Sequence, residues 1–296
     1  MDIRDALFGE LYELGKTDKD VIILTADADA FALHQFEKEF PDRFYNMGVA
    51  EQNTICFATG LAMGGKKVFF YSIISFATMR CFEQIKVNIC SMNLPVTIIG
   101  LGSGLSFSFD GPTHHAMHDI GIMSMLPEMT IYNTADNETA QMAITSAYIE
   151  GTPHYIRLDK GVFPDDSNYV ARDCVREWKL WNNRLNVITT GTILHTVRKA
   201  VNGLDAGVFD VYKLKPFPSH VISDIVNNGA QTMVVEEHSE EGGLGKLVKE
   251  CMKDSSKLIH LALPHKQIFD YGSREWLLDK YGLSQDVIRQ RVKELL

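Results

Sequence analysis

The sequence predicts an α/β protein with two domains, each a mostly parallel sheet with helices on both faces. Three observations carry that expectation. From residue 21 to residue 158, short apolar runs of buried-strand type alternate with stretches of helical spacing, and such alternation builds parallel sheets covered by helices. Periodicity fails near residue 159, and a second alternation starts at 186. At 296 residues the chain is long enough for two domains with cores of their own.

The first domain is expected over residues 1–160. Ile3, Ala6, Leu7, Leu11 and Leu14 have helical spacing and stop at Gly15. Val21–Thr25 reads as a buried strand that breaks into Asp27 and Asp29. Phe44–Gly48 is the next strand, and a helix from Glu51 runs to Gly64-Gly65. Lys67–Ile74 predicts a strand and Thr78–Met92 a helix with Phe82, Ile85 and Ile89 inward. Strands follow at Pro95–Gly100 and Thr130–Asn133, then a helix at Asn137–Glu150 and a closing strand at His154–Leu158. Residues 161–185, with Gly161, Pro164 and charged, Trp-rich sequence, are expected to cross between domains. The second domain is expected over 186–296. Its strands are Asn186–Thr190, Gly207–Tyr212, Gln231–Glu236 and Lys257–Leu261. Its helices are Leu194–Gly203, Ser219–Asn227, Leu244–Met252 and a tail at 276–280 and 284–296.

Composition removes several function classes. A net charge of −9 and no Lys/Arg-rich run argue against nucleic acid as the main partner. No apolar run reaches the ~18 residues of a membrane span, and the acidic start is no signal peptide. Five cysteines without a CxxC pair, four of them in expected helix or core, predict buried, reduced thiols. A cytoplasmic protein with no membrane partner is therefore expected.

Candidate chemistry falls where parallel strands end, the place where ligands bind such sheets. Glu51 sits at a strand-to-helix switch, in the first helical turn. A first-turn glutamate also suits the positive end of a helix, so its neighbours decide its meaning. Asp27 ends the preceding strand. The stretch from Gly100 to Asp119 carries Asp110, His114, His115 and His118, donors and acceptors suited to polyhydroxy or carbonyl substrates and to proton transfer. His114 and His118 lie four apart, a metal spacing on a helix, but with no third ligand or zincin-type glutamate no metal is expected in this chain. Phe76 and Phe82 flank the turn into the 78–92 helix. Glu236-Glu237-His238 followed by Gly242-Gly243-Leu244-Gly245 could seat an anion at a helix start or form a turn that serves packing or a subunit contact.

Together these stretches resemble the transketolase family of thiamine-diphosphate enzymes, and more narrowly the separately encoded C-terminal half of a split transketolase. The resemblance spans nearly the whole chain. It rests on DIRDALFGEL at the start, ADADAF at 26–31, FPDRFYNMGVAEQN at 40–53, RCFEQIK at 80–86, FDGPTHH at 109–115 and VVEEHSEEGGLG at 234–245. It implies a pyrimidine-binding domain followed by a smaller C-terminal domain. Glu51 then takes the place of the glutamate that bonds the cofactor's aminopyrimidine ring. A carboxyl in an apolar pocket gains proton affinity and can share a proton with the ring nitrogen, favouring the tautomer that deprotonates the thiazolium carbon. Phe76 and Phe82 match aromatics that pack on the pyrimidine, and Asp27 the aspartate near thiazolium and substrate. Asp110 and His114 match residues that contact substrate hydroxyls and the reacting carbonyl, with His115 beside them.

Two departures accompany the resemblance. The Gly-Asp-Gly with a downstream Asn that holds Mg²⁺ and the diphosphate is missing, so a separate diphosphate-binding subunit is expected, in an α₂β₂ heterotetramer. The positions matching the family's grip on a terminal phosphate are Arg4, Phe31, Gly102 and Lys160. Only Arg4 is the usual residue there, Phe31, Gly102 and Lys160 standing where a Ser, a His and an Arg are expected, so the resemblance does not point to a usual sugar-phosphate acceptor. A non-phosphorylated, deoxygenated or bulkier acceptor, such as a nucleotide-linked keto-sugar, suits the altered pocket better. The resemblance implies transfer of a two-carbon ketol unit. A 2-oxoacid dehydrogenase β-type reaction, a deoxyxylulose-phosphate-synthase-like condensation and a silent scaffold subunit are the alternatives.

Overall fold

The computed structural model describes residues 1–165, 167–178 and 184–296. The chain divides into two compact units, Met1–Ser103 with Ile122–Phe163, and Gly104–Gly121 with Pro164–Leu296.

The first unit contains β1 (Val21–Thr25), β2 (Phe44–Asn46), β3 (Lys67–Ile73), β4 (Val96–Leu101), β5 (Thr130–Asn133) and β6 (His154–Leu158). They run parallel in the order β5-β6-β4-β3-β1-β2. Every residue of β1, β4, β5 and β6 is buried, which is why β1 and β4 read as near-continuous apolar runs rather than alternating ones. The helices of this part of the chain are α1 (Ile3–Thr17), α2 (Phe31–Glu39), α3 (Glu51–Met63), α4 (Phe82–Gln84), α5 (Asp119–Ser124) and α6 (Asn137–Glu150). Asp2 caps α1 by accepting the Arg4 amide. A reciprocal Asp136–Thr139 capping box opens α6, and Gly151 closes it at φ +59°. The chain leaves β1 toward β2 on one side, whereas β3 leads to β4 on the other. The strand order thus reverses at β1 and β3, the place where ligands bind beyond the carboxyl ends of such sheets.

One expected helix differs in kind. Where spacing predicts a helix over 78–92, wide π-helical turns at Phe76–Arg80 and Ile85–Cys90 flank the single turn of α4. Only two of the five thiols are buried, Cys81 and Cys90. Cys56 is exposed on α3, and Cys174 and Cys251 are partly so: the segments carrying them turn one face outward.

The second unit holds a six-stranded sheet in the order β13-β12-β9-β10-β8-β7. Its strands are β7 (Val170–Arg172), β8 (Val175–Trp178), β9 (Leu185–Thr189), β10 (Ala206–Val211), β12 (Gln231–Ser239) and β13 (Leu258–Leu263), with a short β11 (Lys213–Lys215) between β10 and β12 in the chain. From β13 to β10 the pairs are parallel; β10–β8 and β8–β7 are antiparallel. The helices are α7 (Ile193–Val201), α8 (Ser219–Val226), α9 (Leu244–Cys251), α10 (Arg274–Lys280) and α11 (Gln285–Leu295). Helices cover both faces of the mostly parallel sheets, as the sequence predicts.

β7 and β8 lie within the aperiodic stretch 161–185, of which Asp166 and residues 179–183 fall outside the described residues. β8 shows why no strand is legible there. It buries a charge: Arg176 Nη2 meets Asp210 Oδ2 at 2.8 Å, the side chains 1% and 0% exposed, across a β8–β10 pair. Among the described residues no helix is long and apolar enough to cross a membrane.

Candidate functional site

Glu51 opens α3 without a side-chain cap beneath it, and its carboxylate is 1% exposed. An isolated buried carboxylate is costly, so it needs a partner. The partner is Arg80, whose Nη1 donates to Glu51 Oε2 at 2.7 Å. Arg80 ends the first π-helical turn, and its guanidinium lies 4.0 Å from the centre of the Phe76 ring. Phe76 and Phe82 are half-buried on the segment next to α3. Burial first, and then the Glu51 charge, push the Cys81 thiol up to about 12, so it stays an inert thiol beside the acid. The structure thus brings Glu51 and Phe76 together through Arg80.

Of the remaining first-unit candidates, Asp27, Gly102 and Lys160 stand just past strand ends, and Arg4 and Phe31 in the first turns of α1 and α2. Asp27 follows β1 at φ +54° and is exposed. Asn46 Oδ1 accepts the Asp27 amide at 3.2 Å and the Gly48 amide at 3.0 Å, tying the ends of β1 and β2 together. Arg4 gives Nε and Nη2 to Asp2 at 2.9 and 3.0 Å, and Nη1 to the Asp29 carbonyl at 3.3 Å. Phe31 opens α2 with 82% of its surface in solvent. Gly102 takes φ +90°, a conformation glycine adopts without strain, and its amide donates to the Leu158 carbonyl at 2.8 Å. Next to it the buried Ser103 hydroxyl donates to Asp159, which also accepts the Lys160 amide, both at 2.8 Å; the Lys160 side chain is exposed.

Asp110, His114 and His115 belong to the second unit. The loop holding them closes on itself where the Ala116 amide meets the Gly104 carbonyl at 2.9 Å. Asp110 is exposed and His114 half-buried, its Nδ1 2.9 Å from the Thr113 hydroxyl. His115 is buried. Its burial, and then the charge of His114, hold it below the usual imidazole value, with Asp110 pulling the other way. The residues from His114 to His118 follow a 3₁₀ turn and are not helical, so the four-residue spacing of His114 and His118 does not align them as it would on an α-helix.

The glycine-rich turn after β12 has its own anion. Glu236, 1% exposed, accepts the Leu244 and Gly245 amides at 2.7 and 2.8 Å at the start of α9, and its Oε1 lies 2.8 Å from His260 Nε2. A Cβ on Gly243 would stand 2.1 Å from Glu236. The helix start is thus filled from within the chain rather than by an outside anion. Glu237 receives Arg274 through Nε and Nη2 at 3.0 and 2.8 Å. Arg80, Arg274 and the loop-holding role of Glu237 are missed by sequence reasoning. Asking which cation neutralises each buried acid would have raised both arginines.

This is the architecture of a two-unit α/β protein whose acids and histidines gather at strand ends. Residues 1–165 match the transketolase pyrimidine binding domain and residues 177–288 the transketolase C-terminal domain. The chain belongs to the transketolase family, whose members depend on thiamine diphosphate. It is 29% identical over 305 residues to a subunit of the apulose-4-phosphate transketolase of Phocaeicola vulgatus, covering 99% of this chain and 97% of the relative. Identity is 28% over 301 residues with the 6-deoxy-6-sulfo-D-fructose transketolase subunit SqwH of Clostridium sp., covering 97% and 92%. Of solved structures, a split gene transketolase described as an inactive beta4 tetramer is similar with a TM-score of 0.85 and 29% identity, over 100% of this chain and 98% of that one. These likenesses make the chain a transketolase-like subunit.

Proposed function

We propose that this subunit holds the pyrimidine end of thiamine diphosphate in an enzyme that moves a two-carbon ketol unit from a ketose donor to an aldehyde or keto-sugar acceptor. The observation that carries the reading is Glu51, an acid 1% exposed in a first helical turn, with one oxygen engaged by Arg80. The residues fit the group. An aminopyrimidine needs an acid at a ring nitrogen and apolar surface for its face; Glu51 supplies the first, and the half-buried Phe76 and Phe82 the second. Asp27, beyond the carboxyl end of β1, serves the thiazolium side and the substrate.

When bound, thiamine diphosphate supplies the electron sink for cleaving the donor's carbon–carbon bond. The chain's own groups orient and move protons. Glu51 holds a proton at the ring nitrogen. Asp110 and His114 bind the hydroxyls and carbonyl of the sugar, with His115 behind them, while Arg4, Phe31, Gly102 and Lys160 shape the far end of the acceptor. Residues 1–160 and 186–296 act as pyrimidine-binding and C-terminal domains, joined by 161–185.

The diphosphate and its Mg²⁺ fall to a partner chain, because this sequence has no Gly-Asp-Gly with a downstream Asn. Exposed apolar side chains on and beside α3 and the π-helical segment, among them Val49, Phe57, Met63, Val87 and Met92, support a protein partner there. The assembly is an α₂β₂ heterotetramer in the cytoplasm. The test is reconstitution. The purified chain should show no ketol transfer. Mixed with a chain carrying the Gly-Asp-Gly…Asn pattern, it should gain Mg²⁺-dependent activity and sediment as a heterotetramer. Full turnover by this chain alone overturns the proposal.

A further inference from the structure

We infer that Arg80 is the positioning residue for Glu51: it pins one carboxylate oxygen and leaves the other to share a proton with the cofactor's ring nitrogen. This rests on the cofactor role proposed for Glu51. Three features of the geometry carry it. Only Oε2 of Glu51 takes a protein partner among the described residues, and that partner is Arg80 at 2.7 Å. The two side chains differ sharply in exposure, 40% for Arg80 and 1% for Glu51, so the cation reaches inward from the surface to an acid that cannot leave. The guanidinium is also held from its own flank, 4.0 Å from the centre of the Phe76 ring. A planar fork stacked in this way loses little further freedom when it bonds a carboxylate.

The local backbone explains the reach. Phe76 and Arg80 are the two ends of a π-helical turn, a wider turn than an α-helix makes and one that recurs at functional sites. Phe76 therefore has a second task beside offering apolar surface to a ring: it holds Arg80. An acid positioned in this way meets the ring nitrogen without first having to orient, the usual benefit of a fixed neighbour to a catalytic group.

The inference is tested with Arg80→Met, which keeps an apolar stem without charge, with Arg80→Lys, and with both placed on Glu51→Gln. In the chain by itself, Arg80→Met should lower the melting temperature in the wild-type background and much less in Glu51→Gln, since no buried charge is then stranded. In the reconstituted holoenzyme, Arg80→Met should lower kcat by about tenfold or more, the scale of lost support behind a ligating group, with donor KM within about threefold. Thiamine diphosphate affinity, read by calorimetry, should weaken in parallel, and Arg80→Lys should recover part of both. Equal melting shifts on the two backgrounds, or an unchanged kcat, overturn the assignment. If Glu51→Gln itself leaves turnover intact, the cofactor role of Glu51 fails. If Glu51→Gln is inactive and Arg80→Met normal, only the role of Arg80 fails.

Discussion

Glu237 and Leu105 stand 132 positions apart in the chain, and the Leu105 amide donates to Glu237 Oε1 at 2.8 Å. Arg274 grips the same carboxylate with two bonds. The loop carrying Asp110, His114 and His115 is thereby held at its start. Its end is held where the Ser239 amide meets the Met117 carbonyl at 2.9 Å. The chemistry-bearing loop of the second unit is thus built on β12 and α10, long after it in sequence.

Gly104 is the tightest point of that arrangement. It takes φ +58°, and a Cβ there would lie 2.5 Å from Glu237 Cγ and Oε1. Gly104→Ala should therefore displace Glu237 and destabilise the protein by about 1–3 kcal/mol, the usual cost of overpacking. Urea denaturation measures it. A midpoint equal to that of the parent protein would mean the loop is held elsewhere.

Glu51→Gln keeps the shape of the side chain and removes its acid. In the reconstituted enzyme, turnover should fall by at least ~10²-fold, the scale of a lost acid–base group, while circular dichroism stays unchanged. Near-normal turnover would reduce Glu51 to a first-turn residue that complements the helix dipole.

Acid should loosen the second unit through Glu236. Burial opposes its charge, yet the His260 hydrogen bond, the charges of His238 and His260 and the Gly245 amide together hold the carboxyl below its ordinary value of 4.5. A group whose pKa is depressed on folding adds stability that is complete above the unfolded value and lost as pH falls through the folded one. The denaturation midpoint should thus drop below about pH 4.5, and Glu236→Gln should flatten the drop. Parallel pH curves for the two proteins would exclude Glu236 as a source of that dependence.

Legibility in the sequence follows burial. β1 and β4 are almost wholly apolar, and β5 and β6 keep an apolar centre at Ile131-Tyr132 and Tyr155-Ile156, so their positions are readable to within a residue or two. α2 is not: it buries only Leu33 and Phe36 and starts from Ala30 without a side-chain cap, so neither a full stripe nor a start signal marks it. β8 hides because its buried arginine reads as surface. The π-helical turns have no signal, since apolar spacing does not separate them from an α-helix. Of the candidate chemistry, Glu51 stands out from its place at a strand-to-helix switch. Arg80 does not, being 29 residues away and unremarkable until the glutamate is known to be buried.

The last prediction concerns the acceptor. Of the four positions that the sequence resemblance sets against the family's grip on a terminal phosphate, Arg4 has the expected residue, but Asp2 takes its Nε and Nη2 and the Asp29 carbonyl its Nη1. A guanidinium so engaged has little left to offer a second anion. Phe31 presents an apolar ring, 82% exposed, where a hydroxyl is expected. Gly102 stands where an imidazole is expected, and at φ +90° its backbone resists any side chain that would restore one. Charge-assisted bonds contribute ~1.5–3 kcal/mol each, so the loss of two should weaken a simple sugar phosphate by at least ~10²-fold. A panel assay of the reconstituted complex with one ketose donor should favour non-phosphorylated, deoxygenated or nucleotide-linked acceptors over ribose 5-phosphate. Pentose or tetrose phosphates turned over at ordinary transketolase rates would show that the phosphate is gripped by other groups and that these four positions do not set the acceptor.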